Sequence, residues 1–117
     1  EIRELRKAFW SDLFIPGEPN EMNQQLEYAN RVADYIDLGE LMCVDALDRD
    51  ESCGAHYRDD HISEDGEAER DDANWCFVSA WERGNNGPAW DQSGHEFIRH
   101  AEPLTFEAVP LMTRNYK

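Results

Sequence analysis

The sequence has little positive charge. It carries 11 lysine and arginine residues against 26 aspartates and glutamates, which gives a formal net charge of −15 at pH 7. Proteins that bind nucleic acid neutralise phosphates with clustered lysine and arginine, so this balance argues against a nucleic-acid partner. It argues equally against docking by charge on an anionic membrane. A solvated acidic surface is the simplest interpretation, and an acidic face that meets a basic partner subunit is the alternative.

The sequence also lacks long apolar runs and paired cysteines. No stretch is apolar and long enough to span a bilayer, so direct membrane insertion is not expected. Cys43, Cys53 and Cys76 form an odd set without repeated spacing, which does not make a disulfide framework and favours a reducing, cytosolic environment. No signal peptide is visible, because the first residues already follow a helical pattern. We therefore expect one domain, cut from a longer chain.

Helical periodicity dominates the first half of the sequence. Apolar residues recur at helical spacing over the first helix, and a Pro-Gly break follows. Asn20 is the predicted N-cap of a long helix from about Glu21 to about Ser52, with Gly54 as its left-handed C′ residue. Two apolar stripes on this helix predict that it packs against more than one neighbour. The stripes comprise Leu26, Ala29, Ala33, Ile36, Cys43 and Leu47, and Tyr28, Val32, Tyr35, Met42 and Ala46.

The second half of the sequence predicts a loop and a hairpin. The acidic, apolar-poor stretch from His61 to Ala73 is typical of a loop, and alternation from Trp75 to Trp81 predicts a strand. A Gly- and Asn-rich loop is expected over Arg83–Pro103, and a second extended segment over Leu104–Met112. The sequence thus predicts an α+β fold. We expect residues 1–60 to form the helical part of a single domain and residues 61–117 to form its loop and β-hairpin tail.

Ordered polar runs point to a known family. They read Glu51-Ser52-Cys53-Gly54-Ala55-His56-Tyr57-Arg58-Asp59-Asp60, then Arg70-Asp71-Asp72-Ala73-Asn74-Trp75, and finally Arg114-Asn115-Tyr116-Lys117 at the end. Together they resemble the C-terminal domain of the flavoprotein subunit of succinate dehydrogenase and fumarate reductase, and look closest to succinate dehydrogenase. Many members of that family carry Arg at the position of Cys53, so an interdomain salt bridge made by that Arg is in doubt here.

The resemblance implies a function for the intact subunit. It implies an FAD-containing oxidoreductase that converts succinate to fumarate and passes electrons through an iron–sulfur subunit to quinone. It implies a three-helix, spectrin-like bundle followed by an extended tail, with this chain beginning inside the second helix. The expected partners are the rest of the flavoprotein subunit and the iron–sulfur subunit, at the inner, cytoplasmic face of the membrane. The chain alone is expected to bind no FAD and to have no activity.

The resemblance also implies a site. Catalytic, flavin-linking and substrate groups lie outside this segment in the family, and the polar motif seats the C-terminal domain against the flavin domain. The expected interdomain docking residues are His56, Arg58, Asp60, Arg70 and Asp71. No catalytic, cofactor or metal residue is assigned. Because the long helix has a wide apolar face, we also expect the isolated chain to associate with itself or to expose an apolar patch.

Several alternatives remain at this level. The same domain of fumarate reductase or L-aspartate oxidase would carry a similar pattern, and so could a free-standing acidic interaction module without enzymatic role. Cys53, His56 and His61 have the chemistry of metal ligands, but no second pair follows at zinc spacing. The run that contains His56 and Arg58 could be an acid–base cluster, and the alternative is a surface network of ion pairs. Trp75, Trp81, Trp90 and Phe97 are interpreted as hairpin core rather than a ligand box.

Overall fold

The computed structural model describes residues 1–18, 20–84 and 96–112 of the chain. Helix α1 spans Ile2–Asp12, α2 spans Gln24–Asp48 and the short α3 spans Asp72–Trp75. Strand β1 spans Phe77–Arg83 and strand β2 spans Phe97–Pro103. The two strands pair as an antiparallel hairpin. The predicted α+β class is confirmed. The described residues divide into two compact units, one within residues 1–45 and 83–97 and the other within residues 46–82 and 98–112. The single domain with its helical part to residue 60 stays a prediction.

Asn23 fixes the start of α2. Its side-chain oxygen accepts hydrogen bonds from the backbone N–H groups of Gln25 and Leu26, at 3.0 and 3.4 Å. Its amide nitrogen donates to the Pro16 carbonyl oxygen at 2.9 Å, which ties the preceding loop to the same residue. The predicted cap at Asn20 was therefore wrong. Both asparagines suit an N-cap, and the extra bond to the loop distinguishes the one that is used.

Helix α1 meets α2 through charged side chains. Arg6 is only 2% exposed; its Nε donates to Asp37 Oδ1 at 2.9 Å, and its Nη2 lies 2.5 Å from Glu40 Oε2. Arg3 donates from Nε to the other oxygen of Glu40 at 2.5 Å. Burial alone would raise the pKa of Glu40, but the hydrogen bonds and charges of Arg3 and Arg6 outweigh it and lower that pKa. The helix pair is therefore held by a buried ionic cluster, here named the α1–α2 ion cluster.

Most of the apolar surface of α2 is exposed. Within the described residues Ile36, at 7% exposure, is the only buried apolar side chain. The exposed members of the two stripes are Leu26, Tyr28, Val32, Tyr35, Met42, Cys43, Ala46 and Leu47. The position of Cys43 in an apolar stripe predicts a core residue, but its side chain is exposed, so this prediction is wrong. Gly39 does not interrupt α2; a Cβ on it would lie 2.9 Å from Ile2 Cδ1, so Gly39 leaves room for the end of the Ile2 side chain.

The exit from α2 differs from the predicted end at Ser52 with Gly54 as the C′ residue. The helix ends at Asp48, before Ser52, so Gly54 does not cap it. Gly54 does have a positive φ of 61°, as expected, but it occupies a tight turn closed by Cys53 and His56. The Cys53 N–H donates to the His56 carbonyl at 2.9 Å, and the His56 N–H donates back at 3.1 Å. Glycine at the first central position is typical of a type II′ hairpin turn.

Residues 61–69 form a second small hairpin, here named the acidic hairpin. The Ser63 N–H donates to the Glu67 carbonyl, and the Gly66 N–H donates to the Ser63 carbonyl, both at 2.9 Å. Gly66 has φ of 81°, so the three-residue loop has the left-handed glycine that such hairpins require. An isolated bridge pairs Ile62 with Ala68. The prediction of an irregular loop here was therefore too coarse.

The larger hairpin is displaced from its predicted position. Trp75 closes α3 rather than opening a strand, and β1 begins at Phe77. The second strand was predicted over residues 104–112, but β2 occupies residues 97–103, which had been placed in the loop. Backbone bonds from Gly84 N–H to the Glu96 carbonyl at 2.7 Å and from Leu104 N–H to the Cys76 carbonyl at 3.1 Å bracket the pair. The rest of the predicted loop, residues 85–95, lies outside the described residues.

Candidate docking site

Buried Glu51 and Ser52 anchor the polar motif. Ser52 is fully buried; its N–H donates to the Glu69 carbonyl at 2.9 Å, and its Oγ accepts from the Arg58 N–H at 2.8 Å. Glu51 is 2% exposed, and its carboxylate accepts from Arg49 Nη1 at 2.6 Å and from the Asp71 N–H at 3.0 Å. These bonds join the α2 exit to three later points of the chain, so the motif is a folding element as well as a surface.

His56 and Arg58 converge on one carbonyl group. His56 Nε2 lies 3.1 Å from the Arg49 carbonyl oxygen, so this nitrogen carries the proton and donates. Arg58 Nη1 donates to the same oxygen at 3.4 Å. Both side chains are half-buried. The structure therefore brings these two predicted docking residues together.

A carboxylate two residues onward holds Arg58 in place. Its Nε and Nη2 donate to the two oxygens of Asp60 at 2.9 and 2.7 Å, and Nη2 also lies 3.4 Å from Asp50 Oδ1. These hydrogen bonds raise the pKa of Arg58 and lower the pKa of Asp60 to about 2. His61 Nε2 completes the group, 2.9 Å from the same Asp50 oxygen. Bidentate guanidinium–carboxylate pairs are directional and strong.

Arg70 repeats this arrangement. Its Nε and Nη2 donate to the two oxygens of Asp72 at 3.0 and 2.7 Å, and the hydrogen bond to Asp72 raises the pKa of Arg70. Arg58 and Arg70 thus share one local motif, an arginine clamped by an aspartate two residues later. Their side chains are 26% and 25% exposed, so each clamped guanidinium still reaches the surface. Such a pre-positioned cation loses little side-chain entropy when it meets a partner.

Asp71 has a structural role that the sequence interpretation missed. Its side chain accepts from the Asn74 N–H at 3.2 Å and from Asn74 Nδ2 at 2.7 Å, which makes it the N-cap of α3. Asp71 therefore orients the α3 turn, and with it Trp75. The guanidiniums of Arg99 and Arg49 lie 5.3 and 5.8 Å from the centre of a Trp75 ring, within cation–π range.

The possible metal ligands that the structure brings together differ from those that the sequence suggested. Among the described residues, ligand atoms of Asp50, Asp60 and His61 lie within 4.8 Å of one another. Cys53 and His56, the residues suggested by spacing, are not in this group. Both oxygens of Asp60 accept hydrogen bonds from Arg58, and Arg58 Nη2 also lies 3.4 Å from Asp50 Oδ1. In the structure these residues belong to an ion-pair network around Arg58 and Asp50, and the assignment of no metal site stays a prediction.

The predicted docking set is thus only partly one cluster. His56 and Arg58 meet at the Arg49 carbonyl, and Asp60 is joined to them through Arg58. Arg70 belongs to a separate clamp and Asp71 to a cap. Sequence reasoning missed Glu51 and Ser52 as the buried anchors. Their signal was present, because both belong to the ordered run that drew attention to the motif. It also missed the α1–α2 ion cluster, whose arginines and carboxylates each recur at a spacing of three residues.

The fold and site define an α+β module organised around structural ion pairs and hydrogen bonds. Within the described residues, no helix has the length and apolar character to cross a membrane. A family model described as "Fumarate reductase flavoprotein C-term" matches residues 1–116. The chain belongs to this family of flavoprotein C-terminal domains, found in the fumarate reductase and succinate dehydrogenase flavoprotein subunit. No curated protein and no solved structure matches the chain significantly.

Proposed function

We propose that this chain is the C-terminal structural domain of the FAD-containing subunit of a succinate dehydrogenase. In that subunit succinate is oxidised to fumarate, and electrons leave through an iron–sulfur subunit to quinone. The observation that supports the proposal is the family match over residues 1–116, which includes the polar motif at the α2 exit. The enzyme is placed at the cytoplasmic face of the membrane through its partner subunits.

The chemistry of the motif favours a structural role over a catalytic one. A general base that works near neutral pH needs a pKa close to that pH. The pKa of Asp60 is instead about 2, because the Arg58 guanidinium binds both of its oxygens. Arg58 in turn has a raised pKa and stays charged. A permanently ionised pair holds geometry well and transfers protons poorly.

The proposed docking surface comprises His56, Arg58, Asp60, Arg70 and Asp71, with distinct tasks. Arg58 and Arg70 would contact the flavin domain, because their clamped guanidiniums are about one quarter exposed. Asp60 positions Arg58, His56 joins it to the helix exit, and Asp71 orients the α3 turn. Cys53 stands where many relatives carry Arg, so this docking relies on Arg58 and Arg70.

The double variant His56→Ala/Arg58→Ala tests the role of the motif. It should be made in the complete reading frame that encodes the chain, with flavin absorbance and dye-linked succinate oxidation measured on the purified subunit. A docking role predicts lower flavin retention or weaker assembly with the iron–sulfur subunit, at nearly unchanged turnover per bound flavin. Arg31→Ala/His100→Ala is a matched control, because it removes the same residue types from exposed pairs with Glu27 and Glu82.

Two results would contradict the proposal. A normal flavin load with turnover reduced by orders of magnitude would return the motif to the active site. If the unaltered product of the complete reading frame binds no flavin, the acidic interaction module is favoured instead. Comparing succinate oxidation with fumarate reduction and L-aspartate oxidation on the same preparation distinguishes succinate dehydrogenase from the sister enzymes, and membrane fractionation tests the proposed location.

A further inference from the structure

Tyr57 lies between His56 and Arg58 in the chain, but its side chain is on the solvent side. His56 and Arg58 are half-buried and both donate to the Arg49 carbonyl, whereas Tyr57 is 55% exposed. Arg58 has a further partner, because two of its nitrogens donate to Asp60. Among the described residues, no hydrogen bond, ion pair or ring contact engages the Tyr57 side chain. Its ring is therefore available to a surface outside this chain.

The backbone that carries Tyr57 is held on both sides. Before it, Cys53 and His56 exchange N–H···O bonds of 2.9 and 3.1 Å across a tight turn. After it, the Arg58 N–H donates to the Oγ of buried Ser52 at 2.8 Å, and this hydroxyl donates to the Arg58 carbonyl at 3.2 Å. A tyrosine side chain has only two torsions, so a ring on such a backbone loses little entropy when a partner covers it. Tyrosine is also enriched among the residues that dominate binding energy at interfaces.

Exposed carboxylates accompany Tyr57. Asp59, two residues later, is exposed, and the side chains of Asp50 and Asp60 are 64% and 63% exposed. The cation that pairs with the latter two, Arg58, is only 26% exposed. A surface that covers the ring therefore meets more carboxylate than guanidinium. Lysine or arginine at the edge of that surface would favour the contact, whereas a second copy of this chain, with its net charge of −15, would oppose it.

On the basis of the function proposed above, we propose that Tyr57 anchors the docking of this domain by inserting into an apolar pocket, edged with lysine or arginine, on the flavin domain of the same subunit. Arg58 and Asp60 hold the run in shape and lie at the border of the contact. The ring supplies the buried apolar area at its centre, and the hydroxyl group reaches the polar edge. Asp59 meets the basic groups of that edge.

Hydroxyl-radical footprinting with mass spectrometry measures whether a partner covers Tyr57. The complete polypeptide encoded by the reading frame is labelled in its native state, and a free synthetic peptide of residues 51–60 gives the rate for an uncovered ring. A docked ring should react about tenfold more slowly than in the peptide, because anchor side chains lie in fully desolvated pockets. A rate that falls only in proportion to the 55% exposure of Tyr57 would overturn the proposal.

The same labelling identifies what covers the ring. Protection that is lost on dilution would assign Tyr57 to a second copy, and protection that requires the iron–sulfur subunit would assign it to that subunit; either result overturns the proposal. Flavin absorbance and succinate oxidation are measured on the same unaltered preparation. If flavin is bound and succinate is oxidised while Tyr57 stays reactive, the anchoring role fails and the proposed function stands. A polypeptide without flavin contradicts the proposed function and, with it, the flavin domain as the partner.

Variants test the chemistry of the partner surface. Asp59→Lys places a cation against the basic edge, so it should weaken docking and raise the labelling rate at Tyr57 several-fold. Glu64→Lys is the matched control, because it makes the same change of charge at an exposed carboxylate outside the run and should leave the rate unchanged. Tyr57→Ala should lower flavin retention, whereas Tyr57→Phe keeps the ring and should retain flavin. Equal labelling rates in the two lysine variants, or full flavin retention in Tyr57→Ala, would overturn the proposal.

Discussion

Removing Arg6 should destabilise the chain far more than removing the lysine beside it. Arg6 is 2% exposed and bridges Asp37 and Glu40, and Glu40 is itself 2% exposed. Arg6→Met leaves the Glu40 carboxylate buried with Arg3 alone, whose side chain is 61% exposed. Breaking a buried pair by removing one partner costs about 3 to 5 kcal/mol. Lys7→Met is the matched control; it removes an exposed cation and should change the unfolding free energy by less than about 0.5 kcal/mol.

The double variant Arg6→Met/Glu40→Met makes the argument sharper. It removes both buried charges together, and replacing a buried ion pair with apolar side chains is often neutral or stabilising. The double variant should therefore be more stable than either single variant. The two single changes in unfolding free energy would then not add, which shows that Arg6 and Glu40 interact. Urea unfolding followed by far-UV circular dichroism measures all three. The reasoning fails if Arg6→Met costs no more than Lys7→Met, or if the double variant costs the sum of the two single changes.

The same cluster sets a pH dependence. The pKa of Glu40 is lowered in the folded state, although burial opposes this, because Arg3 and Arg6 favour its ionised form. A lowered carboxyl pKa adds stability that is present above the ordinary value and is lost as pH falls through the folded-state pKa. Unfolding free energy should therefore fall below about pH 4.5 in the wild type. Glu40→Gln, which cannot titrate, should flatten this part of the curve, and a curve of unchanged slope would contradict the assignment.

Three further measurements address other parts of the chain. Gly54→Val should lower stability by about 1 to 2 kcal/mol, because Gly54 has φ of 61°, whereas Gly54→Asn should cost less, since asparagine tolerates this conformation; equal melting temperatures would contradict this. Carbon-13 NMR titration should give Asp60 a pKa of about 2, rising toward its ordinary value in Arg58→Ala, and an unchanged value would refute the clamp. Light scattering should show self-association of the isolated chain, and Met42→Lys should weaken it. A monomer that also binds no hydrophobic dye would mean that the apolar face of α2 is covered.

The polar motif could be located from the sequence, but the roles of its residues could not. The run at the α2 exit does form an ordered cluster, and His56 and Arg58 do meet at one carbonyl. The buried anchors, however, are Glu51 and Ser52, which by residue type belong at the surface. Burial of such groups is decided by partners far along the chain, among them Asp71 and the Glu69 carbonyl. Residue type and spacing do not specify those partners.

The residues of the turn contained a signal for the acidic hairpin that an analysis of hydrophobic periodicity does not use. The Glu-Asp-Gly loop of the acidic hairpin has the glycine that a three-residue connection needs, within a segment that hydropathy marks only as acidic. Strand β2 was missed for the opposite reason. Its side chains after Phe97 are all exposed, so the burial that produces alternation is absent, and a polar strand resembles a loop. Hydropathy patterns find strands that a core covers on one face.

The pairing of α1 with α2 shows why ion-pair partners in such an acidic chain are hard to predict from its sequence. The arginines of α1 and the carboxylates of α2 each recur at a spacing of three residues, which places each pair on one helix face. That complementarity can be recognised in the sequence, but it is not unique, because the chain has 26 acidic residues and 11 basic ones, more than two carboxylates for each cation on average. Apolar contacts settle such choices in most helix pairs. Here Ile36 is the only apolar side chain buried within the described residues, so apolar burial does little to select the partners that Arg3 and Arg6 find on α2.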